Sequence, residues 1–156
     1  ILHYILFNDH KTVALLANKG DAAREILERI KIAFEALPKW LQQGVIEWNK
    51  GSVEFENGCK ILASATSGSA IRGKSISFLY IDETAFVENW DEFFASVFPT
   101  ISSGNTTKIL FTSTPNSSSK SMRRLTSNMS GILLMVTGSG VISAALMICK
   151  ASFLAP

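Results

Sequence analysis

The length and composition of the chain restrict it to a domain with an apolar core. With 156 residues, of which 47% are hydrophobic, it is long enough for one such domain and too short for several. The net charge of +2 is too small to indicate a nucleic-acid binder by composition. The two cysteines, Cys59 and Cys149, are too far apart to indicate a disulfide framework or a metal site.

The first forty residues predict two helices with a strand between them. Residues 1–7 are apolar and indicate the end of a helix, and residues 12–17 form a short β-rich run. Apolar residues at helical spacing predict a second helix over 21–37. We expect Asp21 to be its N-cap and Pro38 to close it.

The remaining elements predict a sheet. Three short runs separated by tight turns indicate antiparallel strands, over residues 45–48, 52–55 and 60–63. The unbroken apolar run 78–81 is typical of a strand buried on both faces, and a helix over 90–101 separates it from a similar strand over 108–112. This alternation predicts an α/β fold with a mainly parallel central sheet, flanking helices and an antiparallel hairpin insertion.

Two adjacent acids, Asp82 and Glu83, directly follow the buried strand 78–81. A parallel strand delivers its last side chains to the sheet edge where α/β proteins bind ligands. The arrangement is that of a Walker B motif, in which the aspartate orients Mg²⁺ and the glutamate activates water as a general base. Taken alone, the pattern also fits a solvated acidic turn after a strand.

Three hydroxyl residues, Thr112, Ser113 and Thr114, end the next strand. If the two strands are neighbours, these hydroxyls lie beside Asp82 and Glu83, where they could contact a γ-phosphate. The alternative is that they are ordinary strand-end residues that satisfy backbone groups.

Three longer strings, at residues 78–86 (FLYIDETAF), 99–104 (PTISSG) and 111–116 (FTSTPN), resemble the terminase large subunits of tailed bacteriophages in both order and spacing. Residues 16–20 and 45–52 resemble the same motor domain, so the likeness covers residues 1–116. It implies a P-loop NTPase-like fold that binds ATP and Mg²⁺. By this resemblance Asp82 orients the metal, Glu83 is the catalytic base, and the segment from Thr112 to Thr114 contacts the nucleotide and couples hydrolysis to movement.

Arg72 lies on a loop before the acidic pair, next to Gly73. Because the family has a similar Arg-Gly pair, the resemblance implies an arginine finger that reaches the γ-phosphate of a neighbouring subunit. A structural or DNA-contacting arginine is the alternative.

The resemblance also implies partners and a location. A large subunit acts on double-stranded viral DNA together with a portal protein and a terminase small subunit. It works as a homo-oligomeric ring on the procapsid, in the cytoplasm of the infected bacterium and without a membrane. Two other interpretations stay open: a helicase-like P-loop ATPase, and a non-catalytic remnant or interaction module of such a motor.

The sequence departs from the family at both ends. No phosphate-binding loop of the form G-x-x-x-x-G-K-S/T (Walker A) occurs, so we expect this segment alone to be inactive. Residues 117–156 are Ser-rich and then apolar, and contain no acidic cluster for a nuclease. We expect a divergent, frameshifted or disordered tail; a membrane helix is less favoured because Gly138, Ser139 and Gly140 interrupt the apolar run.

Overall fold

The structure, a computed structural model, describes residues 1–67, 71–87, 90–102 and 107–112. The predicted site residues Ser113 and Thr114 and the predicted tail over 117–156 lie outside these ranges. The helices and strands, in chain order, are α1 (Leu2–Leu6), β1 (Thr12–Ala17), α2 (Gly20–Glu35), β2 (Val45–Trp48), β3 (Ser52–Phe55), β4 (Lys60–Ala65), β5 (Phe78–Ile81), α3 (Trp90–Ser102) and β6 (Lys108–Phe111). Short 3-10 turns cover Lys39–Leu41 and Thr84–Phe86.

The strands of the described residues form one sheet in the order β2-β3-β4-β1-β5-β6. The four adjacent strands β4, β1, β5 and β6 are parallel, whereas β2, β3 and β4 pair in antiparallel fashion. The predicted α/β architecture and its antiparallel insertion are therefore confirmed. β4 extends to Ala65, two residues beyond the predicted end, because its last residues pair with the last residues of β1 (Ala17↔Ala65).

The central strands β1 and β5 are buried on both faces, whereas β2 is largely exposed. Successive residues of a strand point to opposite sides, so each face has its own core. On one face Ala14 and Leu16 of β1 pack with the apolar residues of β5 and β6 and with Phe93 and Val97 of α3. On the other face Val13 and Leu15 pack with α1, α2 and the antiparallel strands. Among the described residues, no helix has the length and apolarity needed to cross a bilayer.

The prediction for the start of α2 is wrong in one detail. The helix begins at Gly20, and Lys19 occupies the N-cap position without a side-chain cap. Asp21 is instead the second residue of the helix, where its carboxylate accepts a hydrogen bond from the Arg24 guanidinium. A carboxylate in the first turn is favoured by the helix dipole, so the same acidic signal is compatible with either position.

A lysine ties α2 to the antiparallel strands. Lys31 is 7% exposed, and its ammonium donates to the backbone carbonyl of Asn49 at 2.8 Å. The same nitrogen lies 5.1 Å from the centre of the Trp48 ring and 3.5 Å from a carboxylate oxygen of Glu28. A buried ammonium requires such partners, so Lys31 fixes the turn between β2 and β3 over the helix.

Candidate functional site at the carboxyl edge of the parallel strands

The carboxyl ends of β1, β5 and β6 place Asp82, Glu83 and Thr112 at one edge of the sheet. Ile81 lies opposite Leu16 of β1 and opposite Phe111 of β6. Backbone bonds continue this register past the strand ends, from Asp82 N–H to Leu16 O at 2.8 Å and from Thr112 N–H to Ile81 O at 2.9 Å. Asp82 and Thr112 are therefore neighbours, as the sequence predicted for adjacent strands.

The Asp82 carboxylate is held through one of its two oxygens. Its Oδ1 accepts a hydrogen bond from the Thr112 hydroxyl at 2.6 Å and another from the Glu83 backbone N–H at 3.0 Å. Within the part of the chain that the structure describes, Oδ2 has no such partner. The side chain is thus oriented at Oδ1 while Oδ2 is available to a ligand.

Glu83 has a left-handed backbone conformation, with φ 50° and ψ 43°, and an exposed side chain. Residues other than glycine rarely adopt this conformation. The next residue explains why it does: Thr84 is fully buried, and its backbone N–H and hydroxyl both donate to the Thr112 carbonyl, at 3.1 Å and 3.2 Å. This pair of bonds turns the chain sharply after Asp82 and leaves the Glu83 carboxylate facing solvent.

A cleft of about 250 Å³ lies beside Glu83 and is lined by Asn18, Lys19, Ala22, Glu83 and Phe86. Asn18 and Lys19 follow β1 directly, so they belong to the same sheet edge. Ligand pockets usually measure about 300–1,000 Å³. The cleft is therefore large enough for water and small ions around the Glu83 carboxylate, but small for a whole nucleotide.

The donor set at this edge suits Mg²⁺ held in part by other ligands. Among the described residues, no group of three or more His, Cys, Asp or Glu could hold a metal alone. Mg²⁺ prefers oxygen ligands, retains several waters and is usually bound by one or two carboxylates together with phosphate oxygens. A single carboxylate with one oxygen available, as at Asp82, fits that mode of binding.

Arg72 is separate from this group of residues. It lies in a turn closed by a bond from Lys74 N–H to Ile71 O at 3.1 Å, with Gly73 at φ 76°. Ile71 is buried, and Arg72 is exposed. Arg72 forms no hydrogen bond or ion pair within the described ranges, so the structure does not bring it to Asp82, Glu83 or Thr112 in the same chain.

Tyr80 is a residue of this edge that sequence reasoning missed. Its hydroxyl lies 2.9 Å from the Thr112 hydroxyl. Burial is the main cause that raises the pKa of Tyr80, and the bond with Thr112 lowers it. The Asp82 carboxylate raises this pKa further through both its charge and a hydrogen bond. The signal was available, because residues i and i+2 of a strand share a face, which places Tyr80 on the side of Asp82.

Comparisons with known proteins show the family and the fold of the chain. Residues 1–131 match the family described as terminase large subunit, T4-like-virus type, N-terminal. The fold is similar to that of the large terminase ATPase domain of Thermus phage P74-26. An arginine-to-alanine mutant of that domain gives a TM-score of 0.60 at 14% identity, covering 95% of this chain and 64% of that chain.

A second structure of the same Thermus phage domain gives a TM-score of 0.50 at 18% identity and covers 74% of this chain and 52% of that chain. At these identities the likeness establishes the fold. The chain thus spans between about half and two thirds of the matched domain. The resemblance found in the sequence is confirmed by the family match, whereas the predicted boundary at residue 116 stays a prediction.

Proposed function

We propose, since the chain belongs to the terminase large-subunit family of the T4-like-virus type, that it is part of an ATPase motor that moves viral double-stranded DNA into a procapsid. The observation that carries the proposal is the position of Asp82, Glu83 and Thr112 at one sheet edge. There one carboxylate is oriented by two hydrogen bonds and the adjacent one faces solvent on a strained turn. Two neighbouring carboxylates in such different environments suit two different roles.

In this proposal Asp82 would hold the hydrated Mg²⁺ through its carboxylate, with Oδ2 as the oxygen left available. Thr112 and the Glu83 N–H keep the carboxylate in place through Oδ1, so that little reorganisation is needed when the metal arrives. When bound, Mg²⁺ would neutralise negative charge on the phosphates of ATP. Asp82 therefore contributes orientation rather than proton transfer.

Glu83 acts as the general base. Its carboxylate accepts a proton from the attacking water, the water oxygen bonds to the γ-phosphorus, and the bond to the β–γ bridging oxygen breaks to give ADP and phosphate. The cleft beside Glu83 offers space for this water, and the Asn18 amide and the Lys19 ammonium line the same cleft. The exposed carboxylate and its accessible cleft support this assignment.

The strand end at Thr112 connects the site to the rest of the fold. Its carbonyl holds Thr84 and its hydroxyl holds Asp82, so displacement of this strand end would move both. We assign Thr112, with Ser113 and Thr114, to contact with the nucleotide and to the coupling of hydrolysis to movement. In the intact system we expect the large subunit to form a homo-oligomeric ring on the portal protein, with the terminase small subunit as a further partner. We expect this ring in the cytoplasm of the infected host.

Glu83→Gln is the test of the proposed hydrolysis. Because these residues contain no phosphate-binding loop, the assay uses the reading frame extended to its natural start and stop, with DNA-stimulated ATP hydrolysis as the readout. We expect Glu83→Gln to lose roughly 10²- to 10⁴-fold in turnover, the range typical of a general base, and to retain nucleotide binding.

Glu92→Gln is the matched control, because Glu92 is an exposed glutamate in the first turn of α3. It should hydrolyse ATP at the parent rate. A Glu83→Gln variant as active as the Glu92→Gln variant would assign the base to another residue. An extended parent without ATPase activity would favour the non-catalytic remnant.

A subunit-mixing experiment tests whether Arg72 completes a neighbouring site. Its exposed position and its lack of a described partner support a role in trans. We expect Arg72→Ala to reduce turnover about 10³-fold or more, as expected for an arginine finger, and Arg72→Lys to recover little because the planar fork is lost. Rings mixed from Arg72→Ala and Glu83→Gln subunits should regain part of the activity, since some interfaces then contain one intact Arg72 and one intact Glu83.

Mixed rings as inactive as each variant alone would contradict the trans assignment. An Arg72→Ala motor that hydrolyses ATP at the parent rate, but binds DNA more weakly, would instead identify Arg72 as a DNA contact.

A further inference from the structure

We propose that Tyr80 is a positioning residue that orients the Asp82 carboxylate through the hydroxyl of Thr112. The three side chains form a continuous series of hydrogen bonds: Tyr80 Oη lies 2.9 Å from Thr112 Oγ1, which lies 2.6 Å from Asp82 Oδ1. The inference deepens the proposed function, because it assigns a residue that holds the metal-orienting acid.

Proton counting fixes the direction of this series. An ionised carboxylate only accepts hydrogen bonds, and a threonine hydroxyl has one proton to donate. The Thr112 proton therefore goes to Asp82, at 2.6 Å, rather than to the Ile81 carbonyl, at 3.5 Å. The Thr112 oxygen can then only accept a proton from Tyr80, whose hydroxyl also interacts directly with Asp82. The order through Thr112 is therefore Tyr80 O–H to Thr112 O–H to the Asp82 carboxylate.

This direction gives Tyr80 a physical effect on Asp82. A hydroxyl that accepts a hydrogen bond becomes a stronger donor, so the bond from Tyr80 strengthens the bond from Thr112 to the carboxylate. Tyr80 also limits the rotation of the Thr112 side chain. Both effects keep Oδ1 occupied, so that Oδ2 is the oxygen that would remain available to a metal.

The chain provides a matched tyrosine for comparison. Tyr4 packs on the Phe78 ring at 5.4 Å between ring centres, and the Lys108 ammonium lies 5.0 Å from the centre of the Tyr4 ring. Tyr4 therefore lies on the same face of the sheet as Tyr80. Its hydroxyl has no hydrogen-bond partner within the described part of the chain. Tyr4→Phe therefore removes the same atom as Tyr80→Phe without touching Asp82.

The first measurement is the ¹³C chemical shift of the tyrosine ring carbon that carries the hydroxyl, in the 156-residue chain labelled with [ζ-¹³C]tyrosine. The chain contains two tyrosines, and Tyr4→Phe assigns the two signals. We expect Thr112→Val and Asp82→Asn to shift the Tyr80 signal and to leave the Tyr4 signal in place, while Thr112→Ser keeps the Tyr80 signal near its parent position. A Tyr80 signal that Thr112→Val and Asp82→Asn leave unchanged would overturn the proposal.

The second measurement is the Mg²⁺ concentration that gives half-maximal ATP hydrolysis in the extended reading frame. We expect Tyr80→Phe to raise it roughly 3- to 10-fold, the effect of one hydrogen bond, without changing nucleotide affinity in the absence of Mg²⁺. Tyr4→Phe should leave it unchanged. A Tyr80→Phe variant with lower turnover but an unchanged Mg²⁺ requirement would show a structural role only and would overturn the proposal.

The two measurements separate this inference from the proposed function. If the extended protein hydrolyses no ATP, the motor assignment fails and the ¹³C shifts alone decide the position of Tyr80. If hydrolysis is present and the shifts do not respond, the motor assignment stands and the role of Tyr80 is refuted.

Discussion

The two ends of the sheet treat their polar groups differently. At the antiparallel end, the buried Lys31 ammonium is surrounded by the Asn49 carbonyl, the Trp48 ring and the Glu28 carboxylate. At the parallel end, Asp82 offers one oxygen without a described partner and Glu83 is exposed on a left-handed turn. The first end provides its buried polar group with partners from the same chain, whereas the second leaves its polar groups available for a ligand.

This difference makes the parallel end the candidate site without reference to any relative. Throughout the described residues, no buried side-chain nitrogen or oxygen lacks a hydrogen-bond partner, so the fold satisfies its interior polar groups. His10 shares the left-handed backbone of Glu83, so it is the combination of this backbone with two adjacent available carboxylates that sets the parallel end apart. Such departures are expected where a site must bind and react.

We expect substitutions of Lys31, at the antiparallel end, to change the free energy of unfolding more than substitutions of Glu83, at the parallel end. Lys31→Ala removes both the ammonium and an aliphatic stem packed beside Trp48, and we expect it to lower the free energy of unfolding by about 2–3 kcal/mol. Lys31→Met keeps an apolar stem of similar length, and the Asn49 carbonyl lies on an exposed residue that water can reach. We therefore expect Lys31→Met to change stability by less than about 1 kcal/mol.

Urea unfolding of the chain measures both variants, and Lys50→Ala is the control. Lys50 is an exposed lysine next to Asn49, so its removal should cost at most about 0.5 kcal/mol. Equal losses for Lys31→Ala and Lys31→Met would show that the ammonium and its bonds stabilise this end, rather than the packing of the stem.

The sequence predicted the elements whose signals are local. The apolar run Phe78–Ile81 indicated a strand buried on both faces because every residue of it is apolar. The contact between Asp82 and Thr112 followed from general geometry, since neighbouring parallel strands end at the same edge. The antiparallel insertion was predictable from turn residues between short strands.

Features that depend on distant residues could not be predicted in this way. The pairing of β4 with β1 joins segments about 48 residues apart, as between Thr12 and Lys60. The left-handed conformation of Glu83 depends on two bonds from Thr84 to the Thr112 carbonyl, 28 residues away. Strand alternation places Tyr80 on the side of Asp82, but its partner Thr112 lies 32 residues away, and no local pattern specifies that pairing.

Replacing Glu83 by glycine or alanine tests whether the turn after Asp82 is strained. At an ordinary position alanine is more stable than glycine by about 0.5–1 kcal/mol, because glycine loses more backbone entropy on folding. In the left-handed region alanine incurs a steric cost of roughly 1–2 kcal/mol that glycine avoids. We therefore expect Glu83→Gly to be more stable than Glu83→Ala by about 1 kcal/mol in urea unfolding.

The alanine and glycine pair at position 33 in α2 serves as the control. Here we expect the opposite order of stability, with alanine more stable than glycine. Ala33 lies inside this helix and is exposed, so Ala33→Gly should destabilise the chain by about 1 kcal/mol. The same order at position 83, with alanine above glycine, would contradict the strained turn. If the order is inverted, the turn is held against its own preference by the bonds to the Thr112 carbonyl. The strand end that orients Asp82 then also fixes the backbone of Glu83, so any movement of Thr112 must act on both carboxylates together.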